Sequence, residues 1–157
     1  MSNLVFVPDE NILRTRIQTL VCPVNTVGVM GAGLAKYFTT YYPALLHHYR
    51  DACKTKALTI DKLWVYKYNA KRQILCFPTK IDWRDPSKLE WIEAGMQRLV
   101  EQQEALGIYE IAIPQLGCGK GQLDWKEVGP IVVKYAEQLL GVVYIFGEEP
   151  KNERVRD

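Results

Sequence analysis

Two glycine-rich stretches carry the clearest chemical content of this sequence. The first reads Asn25-Thr26-Val27-Gly28-Val29-Met30-Gly31-Ala32-Gly33-Leu34, the second Pro114-Gln115-Leu116-Gly117-Cys118-Gly119-Lys120-Gly121-Gln122-Leu123. Closely spaced glycines let several backbone N–H groups converge on an anion with no side chain in the way. A helix that starts after each stretch adds the positive end of its dipole. Two such loops facing each other would clamp a diphosphate, with Lys120 either adding charge or pointing to solvent. Neither stretch contains the Gly-Lys-Ser/Thr of an ATPase loop. Gly28, Gly31 and Gly33 also miss the dinucleotide-fold spacing, so an ATPase or an ordinary nicotinamide dehydrogenase is not expected.

Other reactive side chains are few. Lys80 follows an apolar run, where a lysine is ordinarily a solvated loop residue. Cys118 has no histidine near it in sequence, and His47 and His48 share one helical segment, so a Ser/Cys–His mechanism has little support. Asp82, Asp85 and Asp124 are the nearby carboxylates, and Asp124 reads as a helix cap. Trp83, Arg84 and Lys88 form a basic–aromatic cluster beside Lys80, with Lys67, Lys71 and Arg72 on the neighbouring hairpin. Such a surface can stack an unpaired base and hold single-strand phosphates, or be a charged rim with Trp83 packed on the core. The cysteines at 22, 53, 76 and 118 and the two histidines show no metal-ligand spacing, so neither a metal nor a cofactor is expected.

The elements that would position these residues follow from periodicity and punctuation. Apolar runs predict strands over Leu4–Val7, Thr19–Val24, Leu63–Tyr68, Gln73–Phe77, Tyr109–Ile113 and Val142–Phe146, with Asn69–Arg72 as a hairpin turn. Pro23 calls for a bulge or an edge position. A helix starts at Leu34 and ends before Pro43, and a second covers Ala44–Lys54. Ser87-Lys88-Leu89-Glu90 reads as a capping box opening a long helix that Gly107 stops. Asp124 caps a last segment, with the main helix expected to restart at Pro130. Strands alternating with helices, interrupted by one hairpin, predict a three-layer α/β/α domain with a mixed, mostly parallel central sheet. Both glycine loops follow strands, so both lie at the edge where such sheets bind ligands.

The bulk properties set outer limits. A chain of 157 residues with 48% hydrophobic content can bury a real core as one domain. We place that domain over 1–148 and a polar tail over 149–157. Lys and Arg exceed Asp and Glu by 20 to 18, which does not by itself mark a nucleic-acid binder. Three cysteines in apolar surroundings and no charged-then-apolar leader point to a reducing, cytoplasmic setting. Apolar runs too short to cross a bilayer point to no membrane partner. The expected oligomeric state is a monomer.

Several motifs resemble one family. Glu10-Asn11-Ile12, followed by Asn25 and the first glycine loop, is similar to the opening of macrodomains, and Pro114 to Trp125 resembles their second phosphate loop. Val24-Asn25-Thr26-Val27-Gly28-Val29-Met30-Gly31 and Phe77-Pro78-Thr79-Lys80-x-x-Trp83-Arg84 look like the DarG group of DNA ADP-ribosyl glycohydrolases, antitoxins of DarT-type toxins. They also resemble the terminal ADP-ribose protein glycohydrolases. The resemblance implies a macrodomain fold and removal of ADP-ribose, from thymidine in single-stranded DNA or from acidic side chains. It implies ADP-ribose, ADP-ribosylated DNA and a DarT-type toxin as partners. It places Lys80 and Asn25 at the bond to be cut. ADP-ribose would lie against Asn11, Ile12, Thr26, Gly28, Val29, Met30, Gly31, Gly33, Leu34, Thr79, Leu116, Gly117, Cys118, Gly119, Lys120 and Gly121, and DNA against Trp83 and Arg84. Lys80 has two open roles: a nucleophile of lowered pKa, or a charge that stabilises a leaving base. Three positions depart from the pattern. Asn11 replaces an adenine-binding Asp, Gly121 stands near the catalytic Asp of the protein-deconjugating relatives, and Ala32 replaces a frequent Lys. The alternatives are a reader that binds without cutting, a hydrolase of protein-linked ADP-ribose or of its 1″-phosphate, and a general single-strand binder.

Overall fold

The computed structural model describes residues 3–8 and 10–151. Six strands form one sheet: β1 (Leu4–Phe6), β2 (Thr19–Asn25), β3 (Trp64–Asn69), β4 (Arg72–Lys80), β5 (Glu110–Ile113) and β6 (Val142–Ile145). Their order is β1-β6-β5-β2-β4-β3. All neighbours are parallel except the β3–β4 hairpin. The helices are α1 (Gly33–Tyr41), α2 (Leu45–Lys54), α3 (Leu89–Gln102) and α4 (Trp125–Ala136).

Strand alternation sorts the core into two layers. On β2 and β4, Leu20, Cys22, Val24, Ile74 and Cys76 pack under α1 and α2. Val21, Leu75 and Phe77 face the opposite way, toward α3 and α4, and Ile111, Ile113, Val143 and Ile145 join them from β5 and β6. The sheet is therefore covered by helices on both faces, as its parallel strands require. The expected three-layer arrangement is present. The chain leaves β2 toward β4 on one side, while β5 pairs on the other. That reversal of direction opens a crevice at the C-terminal strand ends.

One local expectation is met and two are corrected. Pro23 lies in a central strand, and the bulge that it calls for follows as a register shift between Val24 and Asn25. β5 pairs with β2 only at Thr19 and Leu20, so one flank of β2 is already open at Pro23 and no β5 ladder bond is lost there. Ser87 does not cap α3: the N-cap is Lys88, which makes no side-chain bond, while the Ser87 N–H donates to the Gly121 carbonyl at 2.9 Å. Tertiary contact with the second glycine loop has overridden the local cap. Helix α4 runs unbroken through Pro130 from its Asp124 cap, forgoing one ladder bond rather than restarting. At the C-terminal end, Glu148 accepts from Trp125 Nε1 at 2.8 Å, and Pro150 packs near Gly129. The polypeptide stays on α4 through Pro150, and residues 152–157 of the expected tail lie outside those described.

Helix α3 is seated on β4 by a close approach at Gly95. A Cβ there would fall 2.2 Å from Phe77 Cζ. Gly95→Ala gains about 1 kcal/mol of helix propensity but forces the ring and β4 aside, an overpacking cost of about 1–3 kcal/mol. Chemical denaturation is expected to show net destabilisation, relieved by the smaller ring-free side chain of Phe77→Leu in the same background.

Candidate active site

Asn25 ends β2 and organises the first loop. Its Oδ1 accepts from the N–H groups of Val27 (3.1 Å), Gly28 (3.1 Å) and Val29 (3.3 Å), and its Nδ2 donates to the Val29 carbonyl at 2.7 Å. Gly28 sits at φ +88°, which glycine adopts without a steric penalty. Its carbonyl takes Arg50 Nε at 3.2 Å. Thr26 donates through both its N–H and its hydroxyl to the Ile81 carbonyl, each at 3.0 Å, pinning the loop to the end of β4. Helix α1 then begins at Gly33 with Ala32 as N-cap and no capping side chain. Its first-turn N–H groups have no side-chain cap at the point where Gly31, Ala32, Gly33, Leu34 and Ala35 line a cavity. That is the arrangement expected of an anion site.

Lys80 is brought beside Asn25 by a slip in the β2–β4 register. Pro23 pairs with Phe77 and Val24 with Pro78, but Asn25 pairs with Lys80. Two prolines lacking N–H end the regular ladder here, and Thr79 is the extra residue. Without the slip, Thr79 would stand opposite Asn25. Lys80 is 8% exposed, and its Nζ donates to the carbonyls of Trp83 (3.1 Å) and Lys120 (2.9 Å). These two bonds use both hydrogens of a neutral amine, which leaves its lone pair for a third direction. Burial is the largest influence on Lys80 and lowers its pKa below the ordinary lysine value. Asp85 opposes this, Lys120 adds to it and Asp82 opposes it.

The second loop faces the first across the cavity. Lys120 Cγ lies 3.7 Å from where a Cβ on Gly33 would be, and a Cβ on Gly121 would sit 2.4 Å from both the Gly117 carbonyl oxygen and Ser87 Oγ. Gly121 therefore has no room for a side chain while the loop rests on Ser87. Beyond Lys80, Arg84 donates to Asp82 through Nε (3.0 Å) and a terminal nitrogen (2.7 Å). Arg84 is the main reason that the Asp82 pKa falls to about 2. The guanidinium also lies 5.7 Å from the Trp83 ring centroid, and that ring is 53% exposed.

The cavity holds about 900 Å³ and is lined by both loops and by the strand ends. Of the residues expected to bind ADP-ribose, Asn11, Ile12, Val29, Gly31, Gly33, Leu34, Thr79, Gly117, Gly119, Lys120 and Gly121 line it, as do Asn25, Lys80, Trp83 and Arg84. Five expected residues do not. Thr26 and Gly28 are used in holding the loop, as above. Met30 and Leu116 are buried in the two core layers. Cys118 packs against the core, and burial, then Asp124, raises its thiol to about 11, so it is no nucleophile at neutral pH. Asn11 is exposed, and its Oδ1 already accepts from Leu13 N at 2.9 Å as cap of the 3-10 turn Ile12–Arg14. Only the second lone pair of that oxygen remains for a ligand. Arg84 lies at the rim with its fork closed on Asp82, which leaves Trp83 as the open contact surface. Phe146, Gln115 and Glu10 line the cavity without having been anticipated. A signal for Phe146 was present: it directly follows a parallel strand, at the ligand edge. Among the described residues no group of His, Cys, Asp or Glu could hold a metal ion, and no helix is long and apolar enough to cross a membrane.

Comparisons agree with this geometry. The Macro domain family model matches residues 21–132. The macrodomain of Thermus aquaticus DarG superposes with a TM-score of 0.85 at 38% identity, covering 92% of this chain and 97% of that one. Thermosipho africanus DarTG in complex with ADP-ribose gives a TM-score of 0.88 at 36% identity, covering 99% of this chain and 44% of that one. The DNA ADP-ribosyl glycohydrolase of Mycobacterium tuberculosis is 41% identical over 82% of this chain and 38% of its own length. The chain thus spans about two fifths of the curated relatives that it matches. With the sheet order, the two facing glycine loops and the strand-end cavity all in place, the chain belongs to the macrodomain family.

Proposed function

We propose that this domain is an ADP-ribosyl glycohydrolase that removes ADP-ribose from thymidine bases in single-stranded DNA. The observation that carries the reading is Lys80, buried beside Asn25 at the end of a cavity whose walls are two anion-binding loops. A module that only reads ADP-ribose has no use for a desolvated amine at that place. The names and structures of the relatives support the same activity. The Thermosipho relative, a fusion of DNA ADP-ribosyl transferase and glycohydrolase, supports pairing with a DarT-type toxin. The four free thiols suit action in the cytoplasm.

In this reading the loops hold the diphosphate and Asn25 holds the distal ribose. The Lys80 lone pair attacks C1″. The bond from C1″ to the thymine nitrogen breaks, its electron pair stays on the base, and the base takes up the proton that the amine gives up. The resulting ribosylamine opens to an imine, which water cleaves to ADP-ribose and free Lys80. Gly121 favours this route over one that uses a carboxylate from the second loop, because no side chain fits there. Trp83 offers its exposed face to the departing base or its neighbour.

Four outcomes are expected. Lys80→Ala should lower release of ADP-ribose from a thymidine-modified oligonucleotide by about 10²- to 10⁴-fold, while calorimetry still detects ADP-ribose binding. Release retained in Lys80→Ala would remove Lys80 from the reaction, and no release by the unaltered protein would remove the hydrolase reading. Turnover should rise with pH and level off below the ordinary lysine pKa, because a lowered pKa populates the neutral amine earlier. A falling limb would instead assign Lys80 the role of a charged group on the leaving base. Borohydride should trap a covalent adduct in the first case only. Trp83→Ala should raise KM for the oligonucleotide roughly fivefold or more, as expected for a lost stacking contact, and leave ADP-ribose affinity unchanged.

A further inference from the structure

Tyr49 lies in α2, beneath the first glycine loop, and is fully buried. Its ring packs in the core layer that also contains Cys22, Cys53 and Cys76. Burial, reinforced by these thiols, raises its pKa and keeps the phenol protonated, so its hydroxyl is a donor throughout the working pH range. Both oxygens in reach of that donor belong to Asn25: the backbone carbonyl at 2.6 Å and Oδ1 at 2.9 Å. The hydroxyl has one hydrogen, shared between these two oxygens with the nearer carbonyl favoured, so Tyr49 holds the Asn25 backbone and side chain together. The Asn25 amide cannot be turned over, since a flip would aim Nδ2 hydrogens at the three loop N–H donors and Oδ1 at the Val29 carbonyl. One Nδ2 hydrogen is taken by Val29, and the other is the only polar group that the side chain has left. Asn25 is 7% exposed, and that exposure faces the cavity.

We propose that Tyr49 is a positioning residue of this site, which acts through Asn25 by fixing the amide so that it presents a single N–H donor to the ligand. Asn25 then recognises an oxygen that accepts, such as a hydroxyl oxygen of the distal ribose, and takes no hydrogen from it. This rests on the reading above that the cavity holds ADP-ribose with its distal ribose at Asn25. Arg50, the next residue, holds the Gly28 carbonyl, so one turn of α2 sets both the loop backbone and the amide.

The test compares ligands that do and do not reach Asn25. In Tyr49→Phe, the Kd for ADP-ribose should rise about five- to tenfold, the scale of one misplaced hydrogen bond. The Kd for ADP, which lacks the distal ribose, should stay within twofold. Equal weakening of both ligands would show that Tyr49 merely supports the loop, and no weakening of either would show that it does nothing for the site; each result overturns the proposal. If the unaltered protein binds ADP but gains nothing from the distal ribose, the placement of ADP-ribose fails instead, and the inference fails with it. Nuclear magnetic resonance of the unaltered protein asks the same question should Tyr49→Phe not fold. One Asn25 side-chain amide proton should be protected and unmoved by ligand, and the other should shift with ADP-ribose but not with ADP. Two protons that respond alike would overturn the proposal.

Discussion

Everything chemical in this domain depends on a one-residue slip between two parallel strands. Where Pro23 and Pro78 remove ladder donors, β2 and β4 lose strict register, and Lys80 rather than Thr79 comes to lie against Asn25. Side chains paired across a parallel ladder share a face, so this slip decides which functional group reaches the cavity. The strands on either side are held firmly enough to make it reproducible. Leu75 and Phe77 are locked under α3, Leu20 and Cys22 under α1 and α2, and Thr26 is fastened to Ile81 just beyond the slip.

Charge is handled mainly by backbone. The first loop spends its Val27, Gly28 and Val29 N–H groups on Asn25 and leaves the start of α1 without a side-chain cap; the second places glycines against the opposite wall. Lys80 sits between them, its Nζ directed by two carbonyl oxygens rather than by a carboxylate partner. Burial lowers its pKa and outweighs the opposing pull of Asp85 and of Asp82, the latter engaged by Arg84. The site therefore keeps an amine of lowered pKa between two glycine loops. The Gly121–Ser87 contact leaves no space on the second loop for a carboxylate.

Local signals located most elements well. The apolar run Thr19–Val24, the long helix ahead of Gly107 and the Asp124 cap all match the observed structure. The misses share a cause. Ser87 carries a good capping pattern, but its N–H is claimed by Gly121, thirty-odd residues away in sequence. Met30, Leu116 and Cys118 stand inside glycine loops, yet point into the core. Tyr49 has no motif at all, because a buried tyrosine on an amphipathic helix reads as packing until its hydroxyl partner is known.

Residue order alone determined the layer architecture, the two glycine-rich loops at the strand ends and, through the resemblance of Phe77 to Arg84, the choice of Lys80. These are properties of spacing, backbone freedom and hydrophobic period, which are written locally. Only the tertiary structure decided that Lys80 stands beside Asn25, that Arg84 is spent on Asp82, and that Asn25 has one hydrogen left to give. Each of these depends on hydrogen-bond partners contributed by separate elements, and a donor or acceptor is committed only when the fold brings its partner within reach.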